Sequence, residues 1–172
     1  MNNEKHKEII ESVRNNYFKI EVQVLADGKL PSKVRKTDAG FDLFATEDIT
    51  LFPGQSGKTP LNIRMKLPQG TYADIVTKSG LGSKGHQVRS GIIDEEYRGV
   101  VHVIHANVNI ISTIDDQGFP LMRTDPIVIK KGEKIAQMIF HPYSPEFFIE
   151  QVDFVDINTS RSEGGFGSTG KV

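Results

Sequence analysis

The feature that most constrains the fold of this 172-residue chain is a series of short apolar runs, each ended by glycine, proline, asparagine, aspartate or a basic residue. Several of the runs alternate apolar with polar side chains, as strands with one buried face do. No helical periodicity lies between them. Many short strands at regular spacing predict an all-β barrel or sandwich. The predicted strands comprise residues 20–24, 49–51, 61–67, 72–77, 127–129 and 135–140.

Length, charge and composition predict one domain over residues 1–172 with no general affinity for nucleic acid. The chain has 21 basic and 22 acidic residues, so any anion site must be local. It has no cysteine, which excludes disulfides and thiolate zinc sites and fits a reducing compartment. No apolar run approaches the ~20 residues of a membrane helix, and the N-terminus lacks an apolar signal core. We therefore expect a cytoplasmic protein that is not bound to a membrane.

The two ends of the chain differ from its middle. Residues 4–16 form the one convincing helical stretch, because a short apolar stripe lies among charged residues. A helix this short is marginal alone, so it must dock on the rest of the protein or fray. Residues 160–172 are rich in Gly, Ser and Thr and hold a single Phe, which is typical of a mobile arm. We expect an N-terminal extension over residues 1–17 and a C-terminal arm over residues 160–172.

One acidic segment is a candidate catalytic turn. Residues 91–99 are Gly-Ile-Ile-Asp-Glu-Glu-Tyr-Arg-Gly, which predicts a strand, a tight acidic turn and a second strand. Three adjacent carboxylates repel one another, so a solvated structural turn is the plain alternative. Asp94, however, follows the apolar Ile92 and Ile93, and partial burial there would suit a general base. Tyr97 would offer a flat face across the turn.

This segment resembles the third signature motif of the trimeric dUTPases, which hydrolyse dUTP to dUMP and pyrophosphate. Four further motifs of that family can be matched in order between residues 38 and 170. The resemblance implies a dUTPase-like β-barrel or jelly roll, and a homotrimer whose active sites draw on different subunits. It makes Asp94 the base that activates a water for attack on the α-phosphorus. It places Tyr97 against the deoxyribose, where a ribose 2′-OH would find no room.

The resemblance also indicates how the base of the nucleotide is recognised. The family's hairpin contacts uracil largely through backbone groups, which Ile92 and Ile93 would carry here. Many relatives add an Asn three residues before the motif's glycine, where this chain has Val88, so backbone or water must replace that side chain. His102 falls where relatives place a residue close to the substrate. His102 and His105 are three apart on a strand, so they point to opposite faces and form no metal pair.

Two glycine-containing segments match the first and second motifs. Residues 38–43, Asp-Ala-Gly-Phe-Asp-Leu, are by themselves a turn with two carboxylates, and the resemblance implies that Asp42 helps to hold a magnesium-bound water. Residues 78–85 contain G-x-G-x-x-G, but no helical pattern follows, and His86 stands where a Walker A lysine is required. What remains is a glycine-rich turn that cradles phosphates, with lysine where relatives have arginine. The implied phosphate contacts are Lys78, Ser79 and Gly80.

The fourth and fifth motifs match the C-terminal part of the chain. Residues 130–137, Lys-Lys-Gly-Glu-Lys-Ile-Ala-Gln, would be a basic hairpin turn in isolation, and the resemblance makes Gln137 a phosphate contact. Residues 161–170 would be a disordered tail in isolation, and the resemblance makes them a lid in which Phe166 stacks on uracil. The further substrate contacts implied in this lid are Arg161, Gly167, Ser168 and Thr169.

An insert over residues 107–126 separates the third and fourth motifs, where relatives have a short hairpin. We expect a small hairpin from residue 108 to residue 124, with Gln117-Gly118 near its tip. The insert resembles that of dUTPases from staphylococcal phages, which implies a second role in binding a host-encoded repressor and a location in the bacterial host cytoplasm. Two alternatives remain open: a protein-binding regulator with residual nucleotide affinity, and a dCTP deaminase relative. The arginine- and serine-rich motif of the deaminases has no match here.

Overall fold

The structure, a computed structural model, describes residues 19–109, 112–114, 116–118, 120–122, 125–144 and 149–152. The helix predicted over residues 4–16 and the arm predicted over residues 160–172 lie outside these ranges. No helix within them is long and apolar enough to cross a membrane.

Within the described ranges the chain forms thirteen strands and one short helix. In chain order these are β1 (Glu21–Val24), β2 (Phe41–Phe44), β3 (Ile49–Leu51), β4 (Ser56–Pro60), β5 (Ile63–Lys66), β6 (Thr71–Val76), α1 (Ser79–Gly82), β7 (His86–Val88), β8 (Ile92–Ile93), β9 (His102–Asn107), β10 (Ser112–Ile114), β11 (Pro120–Met122), β12 (Ile127–Ile129) and β13 (Lys134–Pro142).

The strands form antiparallel sheets, and the predicted all-β fold class is confirmed. The largest sheet has four strands in the order β2-β13-β6-β8, and a second has three in the order β4-β9-β7. The remaining described strands pair as β1 with β5, β3 with β12, and β10 with β11. Strand β13 is the longest and lies between β2 and β6. It therefore connects the segments that carry the first, second and fourth motifs.

The core is made by the inward faces of these strands. In β6 the inward positions Thr71, Ala73 and Ile75 are buried and alternate with half-buried residues, as a strand with one covered face requires. In β13 the side chains of Ile135 and Met138 are fully buried. Truncation of such a side chain to Ala removes about 2–5 kcal/mol of stability. The strands that carry the candidate site are thus held by their own buried faces.

Three strands, β2, β4 and β7, are not predicted by the sequence pattern. Strand β2 lies within residues 38–43, where the two aspartates indicate a turn rather than a strand. Strand β4 has the sequence Ser-Gly-Lys-Thr-Pro, which has low intrinsic preference for a strand. It forms because it pairs along its whole length with β9, with Ser56 opposite Ala106 and Pro60 opposite His102. Pairing with a neighbouring strand, rather than local preference, accounts for each of these three strands.

The insert contains the hairpin that the sequence predicts. Strands β10 and β11 pair antiparallel, with Ser112 opposite Met122 and Ile114 opposite Pro120. Gln117 and Gly118 lie between them, so the hairpin and the position of its tip are confirmed. The apolar side chains of the hairpin are outside the part of the structure that is described. Their expected packing against the barrel therefore stays a prediction.

A buried hydrogen-bonded chain links neighbouring strands of the three-stranded sheet. Thr59 Oγ1 lies 3.1 Å from His105 Nε2, and His105 Nδ1 lies 2.9 Å from His86 Nε2. Both histidines are 1% exposed, and His86 Nδ1 has no hydrogen-bond partner among the described residues. Burial, reinforced by the charge of His86, lowers the pKa of His105 to about 4. Burial also lowers the pKa of His86.

We expect the stability of the fold to decrease as the pH falls from about 6.5 to about 4. In this window the unfolded chain binds a proton at His105 that the folded protein does not bind, so acid favours unfolding. A pKa lowered from 6.5 to about 4 corresponds to about 3 kcal/mol of unfolding free energy at this residue. Denaturant unfolding at fixed protein concentration across this pH range measures the effect.

Two variants isolate the contribution of His105. His105→Gln should lose the part of the slope that His105 supplies and keep the part that His86 supplies, whereas His141→Gln, at a half-exposed ring stacked on Tyr72, should keep the whole slope. Asp42 has a pKa below its usual 3.8, so its contribution to stability is lost only at more acidic pH. An unfolding free energy that stays constant between pH 6.5 and 4 in the unaltered protein would contradict the prediction.

Candidate active site

Three of the matched motifs meet at the carboxylate of Asp42 on β2. Its Oδ1 accepts a hydrogen bond from Lys78 Nζ, and its Oδ2 lies 2.7 Å from Lys134 Nζ. Asp42 is 6% exposed, whereas both lysine side chains reach the solvent. Burial alone would raise the pKa of Asp42, but the hydrogen bonds and charges of Lys134 and Lys78 outweigh it and lower that pKa. The carboxylate therefore stays ionised and holds two ammonium groups side by side.

Gln137 on β13 completes this group. It lies opposite Asp42 on one side and Val76 on the other, and its Nε2 donates a hydrogen bond to Thr77 O at 3.2 Å. A Cβ at Gly40 would stand 2.7 Å from Gln137 Oε1, so the first motif approaches the fourth this closely because it has glycine there. We call the assembled residues the two-lysine cluster, which comprises Asp42, Lys78, Lys134 and Gln137.

The predicted phosphate contacts Ser79 and Gly80 lie in α1, directly after Lys78. The N–H groups of Leu81 and Gly82 donate to Lys78 O at 3.0 and 2.8 Å. The sequence predicts a glycine-rich turn without a helix, and the structure corrects this to a single helical turn. Such a turn is too short for a dinucleotide-binding helix, so that interpretation stays excluded. Ser79 and Gly80 are exposed, which leaves their polar groups accessible to a ligand.

The candidate base lies in a second region, at the turn after β8. A cavity of about 220 Å³ opens there, which we call the hairpin pocket. The side chain of Ile93 is buried and that of Ile92 is 64% exposed, since the two face opposite sides of β8. Asp94 is exposed, which differs from the expected partial burial, because a single chain covers only one side of the turn. The pocket lining includes Ser90, Ile92, Ile93, Asp94, Tyr97 and His102.

The carbonyl of Val100 orients two side chains of the hairpin pocket. Tyr97 O–H donates to it at 3.0 Å, and His102 Nδ1 lies 2.8 Å from it. Tyr97 lies across Gly99, where a Cβ would overlap the phenol ring. The glycine that ends the third motif is therefore required by the position of the tyrosine two residues earlier.

The acidic turn is held in place by its own polar groups. The N–H of Gly70 donates to Glu95 Oε2 at 2.5 Å, which fastens the turn to the connection between β5 and β6. Arg98 Nη1 donates to the backbone carbonyls of Glu95 and Tyr97 at 2.6 and 3.0 Å. These contacts fix the conformation of the turn, so it is more than a solvated structural turn. Asp94 lines the hairpin pocket.

The hairpin pocket and the two-lysine cluster lie at opposite ends of β6. Ile93 pairs with Ala73 near the start of β6, so the next residue, Asp94, lies beside Tyr72. Lys78 follows the other end of the strand. Lys78 is six positions after Tyr72, which corresponds to about 20 Å at ~3.3 Å per residue. One chain therefore does not bring the candidate base to the two-lysine cluster.

The fit of a magnesium ion depends on Asp42. No group of three or more metal-binding side chains lies within the described ranges. Both oxygens of Asp42 are engaged by lysines, so direct coordination does not fit while those pairs persist. An ionised carboxylate has about four lone-pair sites, so it can still accept a hydrogen bond from a metal-bound water. The residues therefore fit the indirect role that the sequence implies.

The structure adds residues to the candidate site, Lys134 and Ser90 among them, and leaves five predicted residues outside its description. Lys134 belongs to the two-lysine cluster, and its position three residues before Gln137 in a matched motif could have indicated it. Ser90 lines the hairpin pocket without any signal in the sequence. The predicted lid contacts outside the described residues are Arg161, Phe166, Gly167, Ser168 and Thr169.

Comparison with known families decides what these motifs are. The family described as dUTPase matches residues 26–115 and 121–170. This chain belongs to the dUTPase family. Every residue predicted for the site falls within the matched ranges, and the interruption falls in the insert hairpin. Together with the antiparallel β fold, the match confirms the family predicted from the sequence.

Relatives and solved structures agree with this family. A dUTP nucleotidohydrolase of Gloeothece citriformis is 37% identical over 145 residues, which cover 82% of this chain and 88% of the relative. The dUTPase of Staphylococcus bacteriophage 80alpha with dUPNHPP has a TM-score of 0.70 and 26% identity, and the alignment covers 89% of this chain and 99% of that one. The description of that structure states that phage dUTPases control transfer of virulence genes by a proto-oncogenic G protein-like mechanism.

The dUTPase of phage phi11 of Staphylococcus aureus is also similar. One structure has a TM-score of 0.66 and 26% identity, covers 80% of this chain and 98% of the other, and is described as showing a species-specific insert. A structure of a mutant of that enzyme has a TM-score of 0.65 and 25% identity, and the alignment covers 80% of this chain and 99% of that one. It is described as revealing how a structural Mg(II) ion is coordinated.

Proposed function

We propose that this dUTP diphosphatase hydrolyses dUTP to dUMP and pyrophosphate at sites shared between subunits. Each site would combine the hairpin pocket of one copy with the two-lysine cluster of another. The observation that carries the proposal is the position of Asp94 and Lys78 at opposite ends of β6, about 20 Å apart. Base and phosphate ligands must act on adjoining phosphates of one substrate, so they have to come from different copies.

A closed ring of identical subunits meets this requirement. In such a ring every interface pairs one hairpin pocket with one two-lysine cluster, and all sites are equivalent. We propose a homotrimer, as the resemblance to the trimeric dUTPases implies. Residues 160–172 would close each site, with Phe166 stacked on uracil and Arg161 on the γ-phosphate.

In the proposed reaction Asp94 takes a proton from a water molecule, and the water oxygen bonds to the α-phosphorus. The bond from the α-phosphorus to the oxygen bridging to the β-phosphate breaks, and pyrophosphate leaves with its electron pair. Lys78 supplies positive charge where negative charge develops on the phosphates. Asp42 keeps this ammonium group beside that of Lys134 and stays ionised.

Magnesium would supply further positive charge to the triphosphate when it is bound with the substrate. We propose that Asp42 then accepts a hydrogen bond from a metal-bound water. The Mg(II) ion described for the phi11 relative supports a metal in this family. The lone pairs of the Asp42 carboxylate that the two lysines do not use support a hydrogen bond to a metal-bound water here.

The experiment that tests this function is pyrophosphate release from dUTP, dCTP, dTTP and UTP with magnesium. Hydrolysis of dUTP far above the other three is the expected result. Tyr97 at the deoxyribose should exclude UTP, and the hairpin pocket should exclude dCTP. Equal hydrolysis of all four, or deamination of dCTP, would contradict the proposal.

The insert supports a second proposed role, the binding of a host-encoded repressor protein. Its base is fixed, because Asn109 Nδ2 donates to Lys84 O at 2.5 Å and Val108 N–H donates to Gly85 O at 2.8 Å. The hairpin of β10 and β11 continues beyond this base and contains none of the predicted site residues. The gene-transfer role described for the 80alpha relative supports a protein partner.

We expect that removing residues 110–124 and joining the ends with a short Gly-Ser linker leaves dUTP hydrolysis largely intact. The shortened segment retains Asn109, so the base of the insert stays attached to the glycine-rich turn. Binding of a repressor partner should be lost. Steady-state pyrophosphate release and thermal unfolding measure the first expectation. A shortened protein that stays folded but loses catalysis would show that the insert belongs to the active site.

A further inference from the structure

The three carboxylates of the acidic turn are not equivalent. Asp94 and Glu96 are exposed, whereas Glu95 is half-buried and accepts a hydrogen bond from the N–H of Gly70 at 2.5 Å. Asp94 lines the hairpin pocket, whereas Glu95 contacts the connection between β5 and β6. On the basis of the function proposed above, we propose that Glu95 and Tyr143 are positioning residues, which fix where the carboxylate of Asp94 stands when it activates water.

Gly70 joins the acidic turn to the end of β13. Its N–H donates to Glu95 Oε2, and its carbonyl accepts from the N–H of Tyr143 at 2.9 Å. Gly70 has a φ of +73°, a conformation that glycine adopts without strain. A Cβ at this residue would stand 3.7 Å from the carbonyl oxygen of Tyr143, so the backbone conformation, rather than lack of space, favours glycine. One residue thus fixes the turn relative to two strands, β6 and β13.

Tyr143 contacts the same carboxylate through its side chain. Partial burial raises the pKa of Tyr143, and a hydrogen bond from its O–H to Glu95 raises this pKa further. The negative charges of Glu95, Asp94 and Glu96 act in the same direction, so the phenol lies close to all three carboxylates. A phenol with a raised pKa stays protonated at neutral pH and can donate. Glu95 therefore accepts from two donors, the N–H of Gly70 and the O–H of Tyr143.

The backbone before Asp94 gives this residue limited support. Strand β8 has two residues, Ile92 and Ile93, and lies at the edge of the four-stranded sheet. Three adjacent carboxylates repel one another, which favours opening of the turn. The N–H of Tyr97 donates to Asp94 O at 3.1 Å, which closes the turn but does not fix its direction relative to β6. The two donors to Glu95 fix that direction and offset part of the repulsion.

The position of a general base has a large effect on rate. A displacement of about 1 Å can reduce the rate of a reaction by about 10²-fold, because the reacting atoms no longer align. Loss of the contacts to Glu95 should therefore affect the chemical step. It should not affect binding of the substrate, because Asp94 acts on the water.

The test compares kcat for dUTP and the affinity for a non-hydrolysable dUTP analogue in four variants. Glu95→Ala should lower kcat by about 10- to 100-fold and leave the affinity unchanged. Glu95→Gln, whose amide oxygen can still accept from the N–H of Gly70, should retain most of kcat. Tyr143→Phe removes one of the two donors and should lower kcat by about threefold or more. Glu96→Ala, at an exposed carboxylate of the same turn, is the matched control and should retain kcat.

A fifth variant separates positioning from a purely structural role. In the Asp94→Asn protein, adding Glu95→Ala should cause no further loss of kcat, because the base that Glu95 positions is already absent. A loss of the same factor with and without Asp94 would overturn the proposal. Glu95 would then act on the fold or on the substrate and not through Asp94.

The outcomes also separate the positioning role from the function on which it rests. Unaltered protein that hydrolyses dUTP, together with a Glu95→Ala variant that keeps its kcat, would overturn the positioning role and leave the function intact. Unaltered protein that does not hydrolyse dUTP would overturn both. If Glu95→Ala does not fold, Tyr143→Phe decides, because Tyr143 is 41% exposed and its N–H still donates to Gly70 O. An unchanged kcat in Tyr143→Phe would then overturn the proposal.

Discussion

Replacing Asp94 by Asn is expected to lower kcat for dUTP by roughly 10²–10⁴-fold, the usual contribution of a general base. Asn has nearly the same size but no lone pair basic enough to take a proton from water. Affinity for a non-hydrolysable dUTP analogue should change little, because Asp94 acts on the water rather than on the ground-state substrate. Asp94 is exposed in the single chain, so the substitution should leave the fold intact.

Steady-state pyrophosphate release and calorimetric titration of the analogue measure these two effects. Glu96→Gln is the matched control, since Glu96 is an exposed carboxylate in the same acidic turn. It removes the same charge and should retain activity. Near-normal turnover by Asp94→Asn would mean that another group acts as the base.

Lys78→Ala should lower kcat/KM for dUTP by roughly 10²-fold, as the loss of a charged donor to the reacting phosphates does elsewhere. The side chain comes directly before α1 and is held by Asp42 Oδ1, so its ammonium group has a defined position. Removing it also leaves Asp42 with Lys134 as its one remaining lysine partner among the described residues. The net charge presented to the phosphates therefore falls by one unit.

Two further lysine variants define the cause of this loss. Lys78→Arg keeps the charge and adds the planar fork that grips phosphate, so it should retain most of the activity. Lys131→Ala removes a lysine that is paired with Asp27 on the surface and should have little effect. Equal losses in Lys78→Ala and Lys131→Ala would indicate a general electrostatic effect rather than a specific phosphate contact.

Much of the fold could be predicted because the pattern of the sequence is local. Alternation over residues 61–67 and 72–77 predicts the strands observed as β5 and β6, and the turn residues predict the insert hairpin. Strand β4 could not be predicted, because its stability comes from pairing with β9 rather than from its own residues.

The candidate site was predictable as a set of residues but not as an arrangement. The motifs indicate Asp42, Lys78 and Gln137 separately, and the sheet order β2-β13-β6 then brings them together. Spacing along the chain does not show that Lys134 shares the Asp42 carboxylate. It also does not show that Val100 O fixes the ring of His102, since this depends on the path of the backbone after the acidic turn.

The most direct test of shared active sites is a mixture of two inactive proteins. Asp94→Asn retains an intact two-lysine cluster, and Lys78→Ala retains an intact hairpin pocket. Random reassembly of equal amounts into trimers brings an intact pocket to an intact cluster at about one interface in four. If the active sites are shared between subunits, unfolding and refolding the two variants together restores about a quarter of the activity of the unaltered protein. Activity no higher than that of the separately refolded variants would contradict it.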